Sequence, residues 1–180
     1  MSETGAPINK ENATSRILFE WKADMDEDSG ARAELRRCET ERDVMLCRGF
    51  APLLSNILAY EKAMGNNFPR KYIIEHVART AFVLARFRAL DRGISPAFAM
   101  SVSVSGKPVV SVLRASLLFR SDTEQEAARV LASMATLIGP CDAMEVHRAM
   151  RNWDRVRRDW AVQYNLRVHD LSGLSKSKSA

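Results

Sequence analysis

The sequence predicts an all-α protein of two small helical bundles packed together, with little or no β-structure. Apolar residues recur at spacings of three and four over most of the chain, as they do along one side of a helix. Helix-capping residues and Gly or Pro breaks divide this pattern into segments of helical length. At 180 residues and 46% hydrophobic content, the chain is long enough to bury a core without disulfides or metals.

We expect the two bundles to be joined by a connector and flanked by flexible tails. Both chain ends are polar and carry little apolar periodicity, and the last residues read SGLSKSKSA. The expected parts are a tail at 1–13, an N-terminal bundle at 14–92, a connector at 93–106, a C-terminal bundle at 107–168 and a tail at 169–180.

The N-terminal bundle is expected to start with a helix that Ser15 caps. Ile17, Leu18 and Trp21 form an apolar stripe along that helix. The acidic stretch from Asp24 to Gly30 is expected to be a loop.

Three further helices are expected in this bundle. The sequence GARAELRRC indicates a short helix with exposed arginines, and the apolar stripe from Phe50 to Tyr60 indicates a second helix. The third runs from Arg70 to Leu90, and its polar side places Lys71, Arg79 and Arg86 nearly one above another. That row is either a solvated face or a track for phosphates, and the residues alone do not decide.

The region 91–112 admits two interpretations. The sequence SVSVSGKPVVSV alternates around Gly106-Lys107, as in a β-hairpin, but Pro108 stands where a strand would begin. Because the surroundings are helical, we favour a short helix from Pro96 and a loop through Gly106. A second helix would then have Pro108 in its first turn.

The C-terminal bundle contains two clear helix starts. Asp122 or Thr123 caps one helix, with Glu126 completing a capping box, and Gly139-Pro140 ends it. Asp142 caps the next.

The last helical segment, NWDRVRRDWAVQY, is strongly basic. Trp153, Val156 and Trp160 share one side of it. Two interpretations are possible: tryptophans that stack on nucleobases, or core tryptophans on a helix whose arginines point outward. This spacing favours the second.

Charge is distributed unevenly along the chain, whose formal net charge is +5. Residues 1–43 carry eleven acids and seven bases, whereas the remainder carries twenty bases and eleven acids. Arginine far outnumbers lysine, and its planar guanidinium binds phosphate through two parallel hydrogen bonds. A basic body suggests a polyanionic partner. A soluble basic protein without such a partner is the alternative.

No catalytic or metal-binding motif is present in the sequence: it lacks Gly-x-Ser-x-Gly, His-Glu-x-x-His and Cys-x-x-Cys. We therefore expect a protein that is not an enzyme and has neither a metal nor a cofactor. His76 is expected at a helix surface. Cys38, Cys47 and Cys141 are expected to be buried structural thiols rather than zinc ligands or disulfides.

These cysteines fit a reducing cytoplasm. The chain has no apolar run of membrane-spanning length and no apolar signal region near its start. We expect a cytoplasmic protein without a membrane partner.

Four segments in order resemble the CasB family, the small subunit of the type I-E CRISPR Cascade complex. They are Trp21 followed by ARAELRRC, the stretch FAPLL, the pair RGISPAFAMSVSVSG and SVLRASLLFRSD, and the closing MRNWDRVRRDWAVQY. The resemblance spans residues 15–167. The order within FAPLL and the alternating residues 101–112 depart from the family pattern.

The resemblance implies a non-catalytic, mostly helical subunit that is present as two copies beside other Cascade subunits. Such a subunit contacts guide RNA, target DNA and the displaced strand, and stabilises the R-loop in antiviral defence. By position in the matching motifs, the implied phosphate contacts are Arg36, Arg37, Arg114, Arg120, Arg155 and Arg158, with Lys107 and Arg151 as weaker candidates and Arg79 and Arg86 if their row faces the groove.

Other classes remain open. A helical DNA-binding transcriptional regulator would need a tight turn before a recognition helix, and Gly139-Pro140 is a poor version of such a turn. A small enzyme, or an adaptor with acidic protein partners, is a further alternative.

Overall fold

The computed structural model describes residues 10–104 and 107–177. Their regular secondary structure is helical apart from one small two-stranded sheet, which confirms the predicted all-α class. The helices are α1 Lys10–Glu27, α2 Ser29–Arg37, α3 Glu41–Val44, α4 Phe50–Ala63, α5 Arg70–Leu84, α6 Pro96–Ser101, α7 Val112–Phe119, α8 Glu124–Met134, α9 Ala143–Arg151 and α10 Trp153–Ser177. The strands are β1 Ser103–Val104 and β2 Lys107–Pro108.

The first two helices follow each other without the acidic loop that the sequence suggested. Asp28 alone separates them, and its carboxylate accepts hydrogen bonds from the backbone N–H groups of Gly30 (3.0 Å) and Ala31 (2.9 Å). Because this cap satisfies the first donors of α2, the helix begins at once. The start of α1 at Lys10 places Ser15 inside the helix, so the prediction that Ser15 caps it was wrong.

The region 91–112 combines the two interpretations. The short helix at Pro96 is confirmed, but a hairpin follows, and α7 begins at Val112 instead of at Pro108. Pro108 is tolerated in β2 because each strand of a two-stranded sheet is an edge strand. Val109 and Val110 then donate to the carbonyls of Val102 and Met100. Gly106 lies outside the described residues.

The caps predicted for the C-terminal helices are confirmed. Thr123 Oγ1 accepts from the backbone N–H of Glu126 (3.1 Å), and the Glu126 carboxylate accepts from that of Asp122 (3.0 Å). Asp142 caps α9 and also accepts from the backbone N–H of Gly93 (2.7 Å).

Helices occupy parts of both segments for which flexible tails were expected. Helix α1 includes residues 10–13, and α10 continues to Ser177. Residues 1–9 and 178–180 lie outside the described part of the chain.

The helices before residue 92 and after residue 107 share one hydrophobic core. Buried apolar side chains form a single cluster that extends from Leu18 to Tyr164. Helix α5 packs against α8 and α9, and α1 also packs against α9. The expected connector contributes to the same core, because α6 packs against α10 and buries Ala97 and Met100.

Candidate nucleic-acid interface

Helices α7 and α10 lie side by side and run in opposite directions. Beside the start of α7, the Tyr164 hydroxyl donates to the carbonyl of Val110 at 2.5 Å. Beyond the end of α7, the indole N–H of Trp153 donates to the carbonyl of Ser121 at 2.9 Å. These contacts fix the two helices relative to each other.

The tryptophans of α10 are core residues, as the sequence favoured. Trp153 and Trp160 are buried, and their rings meet edge to face with centroids 5.7 Å apart. They anchor α10 and leave its opposite side exposed to solvent.

Half of the ten predicted phosphate-binding residues lie on these two helices, directly after the end of α7, or on strand β2. All five side chains are exposed, and none has an ion-pair or hydrogen-bond partner among the described residues. We call the group the α7–α10 surface. Its members are Lys107, Arg114, Arg120, Arg155 and Arg158.

Acidic residues are absent from α7, whereas α10 carries the exposed Asp154 and Asp159 close to Arg155 and Arg158 in sequence. The sequence contains no Asp or Glu from Gly93 to Ser121, a span that includes all of α7. On α10, Asp154 is held by Arg157 at 3.0 Å. The acid-free span is a sequence signal that could have singled out α7.

Arg157, which was not predicted as a site residue, joins α10 to the segment after α7. Its guanidinium donates to the carbonyl of Ser121 at 3.2 Å and lies 3.8 Å from the carboxylate of Asp122. This residue therefore positions the α7–α10 surface and is not a free phosphate ligand.

Arg79 and Arg86 do not form a track for phosphates. Arg79 Nε donates to the carbonyl of Met150 at 3.2 Å. The half-buried Arg86 guanidinium donates to the carbonyls of Arg36 (3.3 Å) and Cys38, and burial lowers its pKa. Each side chain donates to the backbone of a neighbouring helix or its end, so their role is structural.

Arg151 is also engaged within the protein. Its guanidinium lies 3.7 Å from the buried carboxylate of Glu61 and 4.5 Å from the ring centroid of Phe68. It is half-buried, so it offers less to a phosphate than the five exposed cations.

Arg36 and Arg37 are exposed but belong to a different region. Arg86, just after the end of α5, bonds the carbonyl of Arg36, whereas Tyr72 near its start donates to the carbonyl of Arg151 at 2.9 Å. Tyr72 and Arg86 are fourteen positions apart, most of them within α5, which corresponds to roughly 20 Å. The arginines of α2 therefore lie far from the start of α10.

A groove of about 1300 Å³ runs along one side of α10. Arg155 lies on both this groove and the α7–α10 surface. The other walls come from the segment before and at the start of α5, from α9 and from the loop before α6, which contribute Phe68, Tyr72, Gly93, Ser95, Asp142, Glu145 and Arg148.

His76 is buried, which corrects the expectation that it lies at a helix surface. Its Nδ1 is 2.8 Å from the carbonyl of Tyr72, and its Nε2 has no partner among the described residues. Burial lowers its pKa to about 4. Within the described residues, no cluster of three or more His, Cys, Asp and Glu side chains is arranged to hold a metal.

The cysteines are buried free thiols, as predicted. Cys38 Sγ and Cys47 Sγ are 3.3 Å apart, and burial raises the pKa of Cys47 to about 12. Burial also raises the pKa of Cys141. Thiols of this kind are poor nucleophiles because the thiolate is disfavoured.

The fold and its surface define an all-α protein with an exposed cationic surface on two adjacent helices. Among its described residues, no helix is both long and apolar enough to cross a bilayer. No family model matches the chain, and no curated protein or solved structure matches it either.

Proposed function

We propose that this chain is a non-catalytic protein that binds the sugar-phosphate backbone of nucleic acid through its α7–α10 surface. More specifically, we propose a CasB-like small subunit of a type I-E CRISPR Cascade complex. The observation that carries the proposal is the group of five exposed cations, all without a partner among the described residues, on α10, on and just after α7, and on β2. Both α7 and β2 pack against α10.

Backbone binding suits the chemistry of this surface. A guanidinium that is not engaged by a carboxylate is free to bond phosphate oxygens and to release condensed counterions. Four of the five cations are arginines, held on helices that the buried tryptophans and Tyr164 anchor. Such contacts carry no base information, so we expect binding that is independent of sequence and steeply dependent on salt.

The assignment to Cascade rests on the four ordered motifs. In such a complex the partners would be guide RNA, target DNA, other Cascade subunits and a second copy of this chain. Strand exchange in an R-loop is nearly balanced in base-pairing energy. Backbone contacts from a subunit of this kind would therefore shift the balance towards the open R-loop.

A helix-turn-helix regulator is the second candidate, and the placement of α9 does not favour it. Helix α9 follows the Gly139-Pro140 turn, but it packs against α1, α5, α8 and α10. A recognition helix needs an exposed face to enter the major groove.

The first prediction concerns reversal of two charges on α10. The double variant Arg155→Glu, Arg158→Glu should weaken binding of single-stranded DNA about tenfold or more at 0.1 M salt and reduce the salt dependence, because two phosphate contacts become repulsive. Fluorescence anisotropy at three salt concentrations measures both effects.

A matched control is Arg42→Glu, Arg88→Glu, which removes the same charge from exposed positions outside the α7–α10 surface. This control should bind nearly as tightly as the parent, and circular dichroism should show both variants folded. Equal weakening in the two variants would show that the effect depends on net charge alone and would contradict the proposed surface.

Co-purification from the source cell tests the Cascade assignment, for which guide RNA and partner subunits are expected.

A further inference from the structure

The groove beside α10 has a cationic and an anionic side chain, both without partners in the described part of the chain, next to an exposed aromatic ring. Arg155 and Asp159 are exposed, and neither side chain has a partner among the described residues. Gln163 accepts from the Ser95 hydroxyl at 2.5 Å through its Oε1, which leaves its amide N–H groups available. The Phe68 ring is 41% exposed. One cation, one carboxylate, one amide and one aromatic ring therefore line the same groove.

The other charged pairs of the groove are already matched. Arg148 bonds Glu145, and Arg151 is shared between Glu61 and the ring of Phe68. Among the described residues that line the groove, Arg155 is the one cation without a partner, so the groove offers a site for one phosphate, and Asp159 would repel a second. The carboxylate of Asp159 therefore disfavours a second anionic group and favours a group that carries N–H donors.

We propose that the groove holds unpaired nucleotides of a single strand whose backbone lies on the α7–α10 surface. The inference rests on the proposed function and extends it from phosphates to bases. Arg155 would hold a phosphate, the exposed part of Phe68 would stack on a base, and Asp159 would accept from an exocyclic amino group.

Three features favour this occupant. Arg155, one of the five cations of the α7–α10 surface, also lines the groove. The Arg151 guanidinium lies 4.5 Å from the centroid of the Phe68 ring, which is 41% exposed, and aromatic rings are the side chains on which bases stack in single-strand-binding proteins. The volume of about 1300 Å³ exceeds the range of about 300–1,000 Å³ that is usual for one small ligand, so a short strand fits better.

The second prediction compares a twelve-nucleotide oligo(dC) with an abasic strand of the same length, by fluorescence anisotropy at one salt concentration. The intact protein should bind oligo(dC) about fivefold or more tightly than the abasic strand, because base stacking adds to backbone contacts. Phe68→Ala should remove that preference and leave binding of the abasic strand unchanged. Leu46→Ala, another exposed apolar position, is the control and should keep the preference.

Asp159→Ala distinguishes a hydrogen bond to a base from repulsion of the phosphates. Loss of the hydrogen bond weakens binding, whereas loss of the repulsion strengthens it. If Asp159 accepts from a base, its loss weakens binding of oligo(dC) while it leaves binding of the abasic strand unchanged or stronger. Stronger binding of both strands would overturn the inference. Equal affinity of the intact protein for both strands would overturn it too, while backbone binding would stand. Binding of neither strand would overturn both proposals.

Discussion

His76 and His147 meet between α5 and α9, with ring centroids 5.1 Å apart. Thr80 links them, because its hydroxyl donates to the carbonyl of His76 at 2.8 Å and lies 3.1 Å from His147 Nδ1. Burial lowers the pKa of both imidazoles, and the nearby Arg151 lowers each further. Arg79 acts on His76 and Arg148 on His147, so both rings are neutral at pH 7.

The third prediction is a loss of stability in mild acid. The unfolded chain takes up protons on these histidines below about pH 6.5, whereas folded His76 does so only near pH 4. Stability is therefore full above about pH 6.5 and falls as the pH drops towards 4. One such histidine lowers the free energy of unfolding by about 2 kcal/mol between pH 7 and pH 5. Urea unfolding at the two pH values measures the difference.

Replacement variants assign this acid sensitivity. His76→Phe removes one titrating ring and should reduce the difference between pH 7 and pH 5. Val162→Ala alters an exposed position of α10 that has no titrating group and should leave the difference unchanged. An identical pH dependence in the parent and His76→Phe would show that other groups cause the loss.

At the residue scale, the sequence correctly predicted that the tryptophans of α10 are buried. It did not distinguish arginines that bond to the protein from arginines that are free for a ligand. Trp153 and Trp160 were recognised as core residues because their spacing on one helix decides their burial. Arg79 bonds a carbonyl of α9 that is 71 residues away in sequence, and Arg86 bonds a carbonyl just after α2 that is 48 residues away. Periodicity along one helix carries no information about such partners, and the same limit explains His76.

At the element scale, Arg86 joins α5 to the end of α2. Its guanidinium donates to carbonyls at Arg36 and Cys38 and lies 4.0 Å from the ring centroid of Phe82. The fourth prediction is that Arg86→Ala lowers the free energy of unfolding by about 2 kcal/mol, because the helix-end carbonyls lose charged donors. Thermal and urea unfolding measure the change.

Arg37→Ala is the comparison for this variant, since Arg37 is exposed on the same helix end. Its effect should stay within about 0.5 kcal/mol. Comparable losses from the two variants would contradict a structural role for Arg86. This experiment thus distinguishes arginines that hold the fold from arginines that are free for a ligand.

Elements whose ends are set by neighbouring residues were predicted best. Thr123 with Glu126, and Asp142, act through contacts two or three residues away, which a sequence displays directly. The hairpin after α6 depends instead on Val109 and Val110 finding carbonyls at Val102 and Met100. The pattern of residues 101–112 contained that hairpin, but the helical surroundings and Pro108 favoured a helix.

At the scale of the whole molecule, the all-α class was predictable because it depends on periodicity summed over many segments. The packing between the two halves of the chain was not predictable, because several helices have apolar faces of similar width, and any of them could pack against a given helix. Helix α5 joins the halves, since its buried residues meet α3 and α4 on one side of the chain and α8 and α9 on the other. A core that extends across both halves predicts that they unfold together.

The fifth prediction tests this coupling with one truncation in each half. Leu53 in α4 and Leu131 in α8 are fully buried, so Leu53→Ala and Leu131→Ala should each lower the free energy of unfolding by about 2–5 kcal/mol. Each variant should shift one single transition, with the same midpoint by tryptophan fluorescence and by circular dichroism. Leu113→Ala, at a position that is 74% exposed, should change it by less than about 0.5 kcal/mol. Two separate transitions, with each variant shifting only one, would show that the halves are independent domains.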